Sequence, residues 1–363
     1  MLIYFLGARG TVPTSGQGTM SICLDNTFLF DICPEFVQSM TRFVERWDAA
    51  QTPDLQRLQS LYGKPSFSKI DHIFLSHLHL DHWGGLRHLL TRALMFDWDF
   101  RVTQRRPIHV YVPKNSTSIL VERARQKFGL DLNGSNNSAE FLKDWLEVDL
   151  GEGIGQLTEF HEVDPNQSPF LIDDYEISAR FNRHIQGSVG YKVQHSAYKL
   201  NEETRTNLGI PKGYLLGRIQ RNGREEYRGR VYTRDELFNR TRIGFGYSGD
   251  TPFDPDFIRW FSDVRLLVHE STYLEHDPSH HTDVHTVITD LIEEIANLAD
   301  LKVFLPAHIS QRYKWEDVER QIKALQERYP SILIYPPKGL DIIHSTSHNG
   351  QIISVLHGGR DKW

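Results

Sequence analysis

Cysteine is scarce in this chain, and long apolar runs are missing. Only two cysteines occur among 363 residues, and no apolar segment approaches the roughly 20 residues that span a bilayer. Cys23 and Cys33 lie in apolar, strand-like stretches, which favours buried reduced thiols over a single disulfide or a two-cysteine metal site. The first residues have no basic segment typical of a signal peptide. These absences predict a cytoplasmic protein that is not stabilised by disulfide bonds and does not span a membrane.

An excess of positive charge is also missing, since 41 basic residues face 47 acidic ones and the net charge is −6. The whole molecule is therefore not attracted to nucleic acid or anionic membranes, and any such binding needs a local basic patch. The length allows one large domain or two fused halves. We find no fixed-period repeat and no linker rich in Pro, Gly or Ser, which favours a single domain over residues 1–363.

Strand-like and helix-like patterns follow one another along the chain. Mixed strands come first, and strands that alternate with helices fill the second half, which is typical of a layered α/β fold. The pattern predicts strands at 2–6, 20–24, 27–32, 70–75, 108–112, 243–247, 264–268, 302–305 and 332–335, and helices at 34–47, 116–128, 283–299 and 315–328.

The segment SHLHLDHWGG holds three histidines and one aspartate within six residues. In an extended chain, side chains two residues apart point to the same side, so His77, His79 and Asp81 should converge where the strand at 70–75 ends. His82 approaches from another direction as the chain turns toward a helix. Such a dense set of imidazoles with a carboxylate suits zinc, with iron or manganese as alternatives. A chance run of surface histidines is disfavoured, because the cluster directly follows a buried strand.

The four residues of one cluster cannot complete the coordination shells of two metal ions, so further ligands are expected at other strand ends. His184, Asp250 and His308 each follow a strand-like run, which puts a polar group at the rim of a sheet. Each of them alone is a weak signal, because a lone histidine after an apolar run is more often a structural residue with its hydrogen bonds satisfied. Together they predict additional metal ligands.

These blocks, in this order, resemble the metallo-β-lactamase superfamily and, within it, the ribonuclease Z family of endonucleases that mature tRNA 3′ ends. The signature HxHxDH corresponds to the first cluster, and the similarity extends from residue 5 to about residue 313. The other matching blocks are His184 ahead of Gly190-Tyr191, Ser248-Gly249-Asp250-Thr251, His269-Glu270-Ser271-Thr272, Ala307-His308-Ile309-Ser310-Gln311-Arg312-Tyr313, and LGIPKGYLLGR at 208–218.

The resemblance implies an α/β fold of the αββα type, in which two mixed sheets pack face to face with helices outside. It also implies two Zn²⁺ per chain, with Mn²⁺ or Fe²⁺ as alternatives. An arm inserted at about residues 198–242 would grip RNA, and a homodimer would let the arm of one subunit serve the site of the other. The implied ligands are His77, His79 and His184 for one ion and Asp81, His82 and His308 for the other, with Asp250 between the two ions.

For the chemistry, the resemblance implies hydrolysis of a phosphodiester by hydroxide formed on the paired ions. Asp81 would ligate one ion and take the proton of the attacking water. Glu270 and His285 are candidates for protonating the leaving 3′ oxygen. His285 falls off the apolar stripe of its predicted helix, so burial does not explain it. The alternative is a solvated histidine beside His280 and His281.

A basic segment lies inside the predicted arm. Residues 212–242 hold nine Lys or Arg against four Asp or Glu and are interleaved with tyrosines, which suits phosphate contact and stacking on unpaired bases. A solvated charged hairpin is the alternative. The candidate RNA-binding residues are Lys212, Arg218, Arg221, Arg224 and Arg228.

Several departures from the family pattern lie where substrate would contact the protein. Residues 33–38 replace a glycine-rich segment, 213–214 replace a Gly-Pro, and 6–10 replace the opening LGTG. Inserts stand near 45–66 and 95–140, and none of these changes touches a predicted ligand. The sequence thus predicts a metal-dependent endoribonuclease that processes tRNA 3′ ends. The alternatives are a phosphodiesterase of small molecules such as cyclic nucleotides, and a non-catalytic relative that binds RNA or metal.

Overall fold

The computed structural model describes residues 1–10, 19–49, 53–116, 137–151, 153–338, 341–345 and 352–356. In these ranges, eight strands form a first mixed sheet, in which the neighbours on one side pair parallel and those on the other side pair antiparallel. In spatial order they are β17 (Ile352–Leu356), β16 (Ile342–Ser345), β1 (Leu2–Gly7), β2 (Ser21–Leu24), β3 (Phe28–Phe30), β4 (His72–Phe74), β5 (Ile108–Pro113) and β6 (Thr158–Val163).

A second mixed sheet contains seven strands from the described second half of the chain. In spatial order they are β15 (Leu333–Ile334), β14 (Val303–Ala307), β13 (Leu266–Glu270), β12 (Phe238–Tyr247), β9 (Val189–Leu200), β8 (Tyr175–Phe181) and β7 (Phe170–Ile172). Strands β12 to β15 pair parallel, so the carboxyl ends of β12, β13 and β14 meet at one edge.

Helices lie on the outer faces of the sheets and in the predicted arm, and within the described residues none is long and apolar enough to cross a membrane. They are α1 (Phe36–Ala49), α2 (Pro53–Tyr62), α3 (Leu80–Trp83), α4 (Leu86–Arg92), α5 (Trp98–Gln104), α6 (Ser138–Leu150), α7 (Ile154–Leu157), α8 (Glu202–Asn207), α9 (Tyr214–Asn222), α10 (Arg234–Leu237), α11 (Pro255–Arg259), α12 (Ile288–Ala296) and α13 (Trp315–Arg328).

Three apolar layers hold the sheets and helices together. Alternate residues of the central strands, such as Phe30 and Phe245, meet between the two sheets. The opposite residues of the first sheet pack under α1, α4 and α6, and those of the second sheet pack under α11, α12 and α13. Two face-to-face mixed sheets with helices outside confirm the predicted αββα architecture.

The predicted arm leaves the middle of the second sheet, between β9 and β12. It contains α8, α9, α10 and a hairpin of β10 (Arg224–Tyr227) with β11 (Arg230–Thr233). A separate small core forms around Leu216, Ile219 and Tyr232. Strands β9 and β12 stay paired from Leu200 opposite Phe238 to Tyr191 opposite Tyr247, so the arm lies at one end of this pair and Tyr247 at the other.

Two helices predicted from the sequence begin later than expected or fall largely outside the described residues. The helix predicted at 283–299 begins only at Ile288, because the preceding backbone bonds elsewhere: Thr286 N–H donates to Glu270 Oε1, and Tyr273 N–H donates to the Thr286 carbonyl. His285 therefore lies in a loop rather than in a helix. The helix predicted at 116–128 falls, apart from Ser116, outside the described residues.

A substitution at Gly85, between α3 and α4, tests how tightly these helices pack against the first sheet. A Cβ at this position would overlap the backbone carbonyl of Cys33, whereas a Cβ at Gly217 in α9 meets open space. We expect Gly85→Ala to lower the free energy of unfolding by about 1–3 kcal/mol, since backbone must move. The control Gly217→Ala should stabilise α9 by up to about 1 kcal/mol. Urea unfolding measures both, and an unchanged midpoint for Gly85→Ala would contradict the packing described.

Candidate metal centre

The predicted ligands stand at the ends of strands that meet at one edge of the two sheets. His77 and His79 follow β4, and His184, Asp250 and His308 follow β8, β12 and β14. The chain is extended only as far as His79. At Leu80 it enters α3, so Asp81 and His82 are presented by a helical turn instead of an extended strand. The structure nevertheless brings all seven residues together.

The distances divide the cluster into two overlapping groups. His77, His79 and His184 form one group, and Asp81, His82 and His308 form the other; in each, one possible ligand atom per residue lies within 4.8 Å of the others. Asp250 stands between the groups. Its Oδ2 lies 3.4 Å from His82 Nε2, 3.3 Å from His308 Nε2 and 3.9 Å from His184 Nε2.

Four of the five histidines have Nδ1 held by a residue outside the ligand set, whereas His79 Nδ1 lies 3.3 Å from His184 Nε2. His82 Nδ1–H donates to Asp31 at 2.6 Å, and His184 Nδ1–H donates to the Val284 carbonyl at 2.8 Å. His77 Nδ1 lies 3.0 Å from the Ser76 hydroxyl, and His308 Nδ1 lies 2.9 Å from the Thr272 hydroxyl. Each bond fixes the ring orientation and turns Nε2 toward the centre of the cluster, as in many metal sites.

Several atoms at the centre have no hydrogen-bond partner among the described residues, although they are buried. They are the Nε2 atoms of His77, His82 and His308, and Asp250 Oδ1. Leaving so many buried polar atoms unpaired is costly. Cations held among these residues would satisfy the unpaired atoms, and imidazole with carboxylate is the donor set of zinc and similar ions. The cluster therefore fits divalent metal.

Electrostatics agree with this fit. Burial lowers the pKa of His77 well below its usual value and that of His79 to about 4, so both rings are neutral and able to coordinate. Burial alone would raise the pKa of the Asp250 carboxyl, but His308 and His82 hold it well below its usual range. The carboxylate is therefore ionised.

Asp31 is a supporting residue that the sequence analysis did not identify. It is fully buried after β3 and accepts hydrogen bonds from Ser76 N–H (2.7 Å), Ser76 Oγ (2.7 Å), His82 Nδ1 and Tyr247 Oη. The available signal was weak: a carboxylate closes the apolar strand FLF, just before the chain leaves the sheet. Asp31 and His308 both have a left-handed backbone, with φ values of 53° and 57°, a conformation uncommon outside glycine.

Glu270 and His285 lie beside this centre and contact each other. His285 Nδ1–H donates to Glu270 Oε1 at 3.2 Å. Glu270 is buried and also accepts from the backbone N–H groups of Thr251, Thr272 and Thr286. Burial disfavours a charged His285 ring, but the hydrogen bond and charge of Glu270 outweigh it and raise the pKa of His285 to about 9.

An open cavity of about 240 Å³ adjoins the cluster. Its lining includes the predicted ligand His308 and the neighbouring His285, so the cavity connects the metal cluster with solvent. Glu270 is not part of the lining. The lining residues are Gly10, Thr272, Tyr273, His281, Val284, His285, His308, Ser310, Gln311 and Arg312.

The candidate RNA-binding residues lie on the arm and not at the metal cluster. Lys212 pairs with Glu202 at 2.8 Å, and Arg218 pairs with Glu225 at 2.6 Å. Arg221, Arg224 and Arg228 are exposed, and in the part of the chain that the structure describes they pair with no carboxylate. These three side chains are therefore available to an anionic partner.

Known proteins share both the sequence pattern and the architecture. A family model described as "Metallo-beta-lactamase superfamily" matches residues 66–93, which include the first cluster. Ribonuclease Z of Thermococcus kodakarensis is 25% identical over 364 residues, 98% of this chain and 98% of that relative. Ribonuclease Z of Haloarcula marismortui is 28% identical over 321 residues, 86% of this chain and 87% of that relative.

Among solved structures, the metallo-β-lactamase fold protein YhfI from Bacillus subtilis superposes with a TM-score of 0.53 at 12% identity, over 93% of this chain and 97% of that one. The chain has the metallo-β-lactamase fold. The predicted resemblance to ribonuclease Z is confirmed by the similarity of nearly the whole chain to proteins of that name. In a metallo-β-lactamase fold, the clusters of histidine and aspartate described above indicate a divalent metal centre.

The contact of Asp31 with His82 predicts a change in metal affinity. Asp31→Asn keeps the shape of the side chain but removes the charge that orients the ring, so we expect metal to bind 10–100-fold more weakly. Chelator competition with metal analysis measures this. Asp341→Asn is the control, because Asp341 is equally buried and accepts from Tyr335 at 2.8 Å, away from the cluster. Equal metal retention by both variants would refute the role of Asp31.

Proposed function

We propose that this protein is a metal-dependent endoribonuclease that processes tRNA 3′ ends. The observation that carries the proposal is the convergence of His77, Asp81, Asp250 and their neighbours into one cluster with unpaired central atoms. Two relatives of nearly equal length that are named ribonuclease Z support the substrate class.

The centre would hold two Zn²⁺ ions, with Mn²⁺ or Fe²⁺ as alternatives. One ion would lie among His77, His79 and His184, and the other among Asp81, His82 and His308, with Asp250 shared. When bound, the ions would lower the pKa of a water molecule and offset the negative charge of the phosphodiester.

The chain's own residues position the reactants and move protons. Asp81 Oδ2 lies 3.5 Å from His82 Nε2 and 3.6 Å from His308 Nε2, so this carboxylate is close enough to the centre to accept the proton of the attacking water. His285 gives a proton to the leaving 3′ oxygen. Its Nδ1 is held by Glu270, which leaves Nε2 for the substrate. Glu270 is a positioning residue, because it contacts His285 and does not line the cavity.

The arm would bind the body of the RNA at a distance from the centre. β12 is ten residues long, with the arm before it and Asp250 after it, so the two regions are separated by roughly 30 Å. A small diester cannot span this distance, whereas a folded RNA can. The exposed Arg221, Arg224 and Arg228 are available for phosphate contacts.

We also propose a homodimer, in which the arm of one subunit serves the site of its partner. We further propose one domain over residues 1–363, because the layer between the sheets draws side chains from both halves of the chain, for example Phe30 and Phe245. Cytoplasmic location remains a prediction from the sequence.

Two substrates test the reaction class. We expect purified protein to cleave a tRNA precursor at its 3′ end, and Asp81→Ala to lose this activity together with about one equivalent of metal. Cleavage products are followed on gels, with bis-p-nitrophenyl phosphate assayed in parallel. If the small diester is cleaved while the precursor stays intact at the same enzyme concentration, the protein is a small-molecule phosphodiesterase.

The basic arm predicts a salt-dependent loss of RNA binding. Replacing Arg221, Arg224 and Arg228 with Ala should weaken binding of the precursor and reduce the slope of log K against log salt by about 2–3, since each phosphate contact contributes roughly 0.7–0.9. Hydrolysis of the small diester should not change. Removing Arg259, Arg320 and Arg328 from the outer helices changes the net charge equally and should leave the slope intact. Identical slopes for both variants would rule out the arm as the RNA grip.

The role of His285 predicts a dependence on the leaving group. His285→Gln should slow cleavage of the tRNA precursor by about 10²–10⁴-fold, because an alkoxide leaves poorly without a proton. Hydrolysis of bis-p-nitrophenyl phosphate should change little, since nitrophenolate leaves unprotonated. His281→Gln, in the lining of the same cavity, is the control and should affect neither. Equal losses on both substrates would show that His285 acts in some other way.

A further inference from the structure

A second group of metal-ligating side chains lies at the edge of the first sheet, on β5 and β6. These strands pair parallel, with His109 opposite Glu159 and Tyr111 opposite His161. Ile108 and Val110 pack under the helices, so His109, Glu159 and His161 project together from the other face of the sheet. Among the described strands β6 is the last of this sheet, and the three side chains are partly exposed to solvent there.

The spacing of the three side chains matches a metal site. His109 Nδ1 lies 3.0 Å from His161 Nε2 and 3.4 Å from Glu159 Oε2, and His161 Nε2 lies 3.9 Å from Glu159 Oε2. The circle through these three atoms has a radius of about 2.0 Å, so one point is about 2.0 Å from all of them. Zinc binds imidazole nitrogen and carboxylate oxygen at about 2.0–2.2 Å.

The neighbouring aromatic rings hold this geometry. The ring of His72 stacks on that of His109 at 4.9 Å, and the ring of His161 stacks on Tyr111 at 4.9 Å. Burial lowers the pKa of His161, so that ring is neutral and can coordinate. The side chains are 25%, 57% and 38% exposed for His109, Glu159 and His161, so an ion can reach them from solvent.

Hydrogen bonding alone does not account for the group. The two imidazoles could share one proton across 3.0 Å, but the carboxylate lies 3.4 and 3.9 Å away, beyond the usual range of a strong hydrogen bond. Glu159 forms ion pairs with only these two histidines in the described part of the chain. A cation between the three groups uses the carboxylate as well as both rings.

We propose that His109, Glu159 and His161 bind a further Zn²⁺ ion, which links edge strand β6 to β5. The site is separate from the centre described above, since neighbouring His72 begins β4 and His77 lies beyond the end of that strand. Three protein ligands and an open face leave a coordination position for water. The ion therefore exchanges with solvent more readily than ions in the buried centre.

Metal content after equilibrium dialysis against micromolar free Zn²⁺ tests the proposal. The wild-type chain should hold one equivalent more than Glu159→Gln or His161→Gln. His88→Gln, which removes an exposed histidine from α4, is the control and should match the wild type. If both site variants retain the wild-type content, the site does not exist. Asp81→Ala should keep this equivalent while losing metal from the centre. The experiment can therefore refute the edge site without refuting the proposed function, and the reverse.

Thermal unfolding gives a second measurement that does not depend on stoichiometry. With the centre already loaded, further Zn²⁺ should raise the Tm of the wild type by about 2 °C, because an ion that binds only the folded state stabilises it. Glu159→Gln changes an exposed carboxylate to an amide of the same shape, so the variant should fold normally but show no rise. The same rise in that variant, or an equal rise with Mg²⁺, would overturn the proposal.

Discussion

Burying imidazoles and carboxylates side by side is unfavourable unless something satisfies their inward-facing atoms, and the rest of this structure depends on that constraint. Around the centre, the protein supplies partners to one side of each ring, such as Asp31 for His82 and Thr272 for His308. Among the described residues, the Nε2 atoms of His77, His82 and His308 are left unpaired. The polar interior is therefore half of a bonding network, and a divalent cation supplies the other half.

The sheets supply the precision that such a network needs. Parallel strands β12 and β14 present Asp250 and His308 at the same edge, and β4 presents His77 there from the opposite sheet. His77, Asp250 and His308 each lie within a few residues of a strand that is packed on both faces, which holds their backbone in place. The arm is placed differently: it has its own core and lies at the far end of β12, so changes in its sequence leave the centre undisturbed.

The sequence predicts the layers and the ligand positions, because both depend on local patterns. An apolar run followed by His or Asp marks a strand end, and HxHxDH compresses four of the ligands into six residues. Residues that support a ligand from a distant part of the chain are harder to predict. Asp31 acts on His82 across 51 residues, and no local pattern marks this contact. The apolar periodicity predicts a helix that includes His285, but the hydrogen bonds of the next residue, Thr286, with Glu270 and Tyr273 take precedence over local propensity.

The same ligand chemistry has different consequences in the two places where it occurs. In the centre, His77 and His82 are fully buried, so an ion there would lie in surroundings of low dielectric, which would strengthen its effect on a nearby water. On edge strand β6, Glu159 is more than half exposed, so bulk water competes with the protein ligands for an ion there. Burial, more than ligand identity, thus separates a site that can activate a nucleophile from one that can only join two strands.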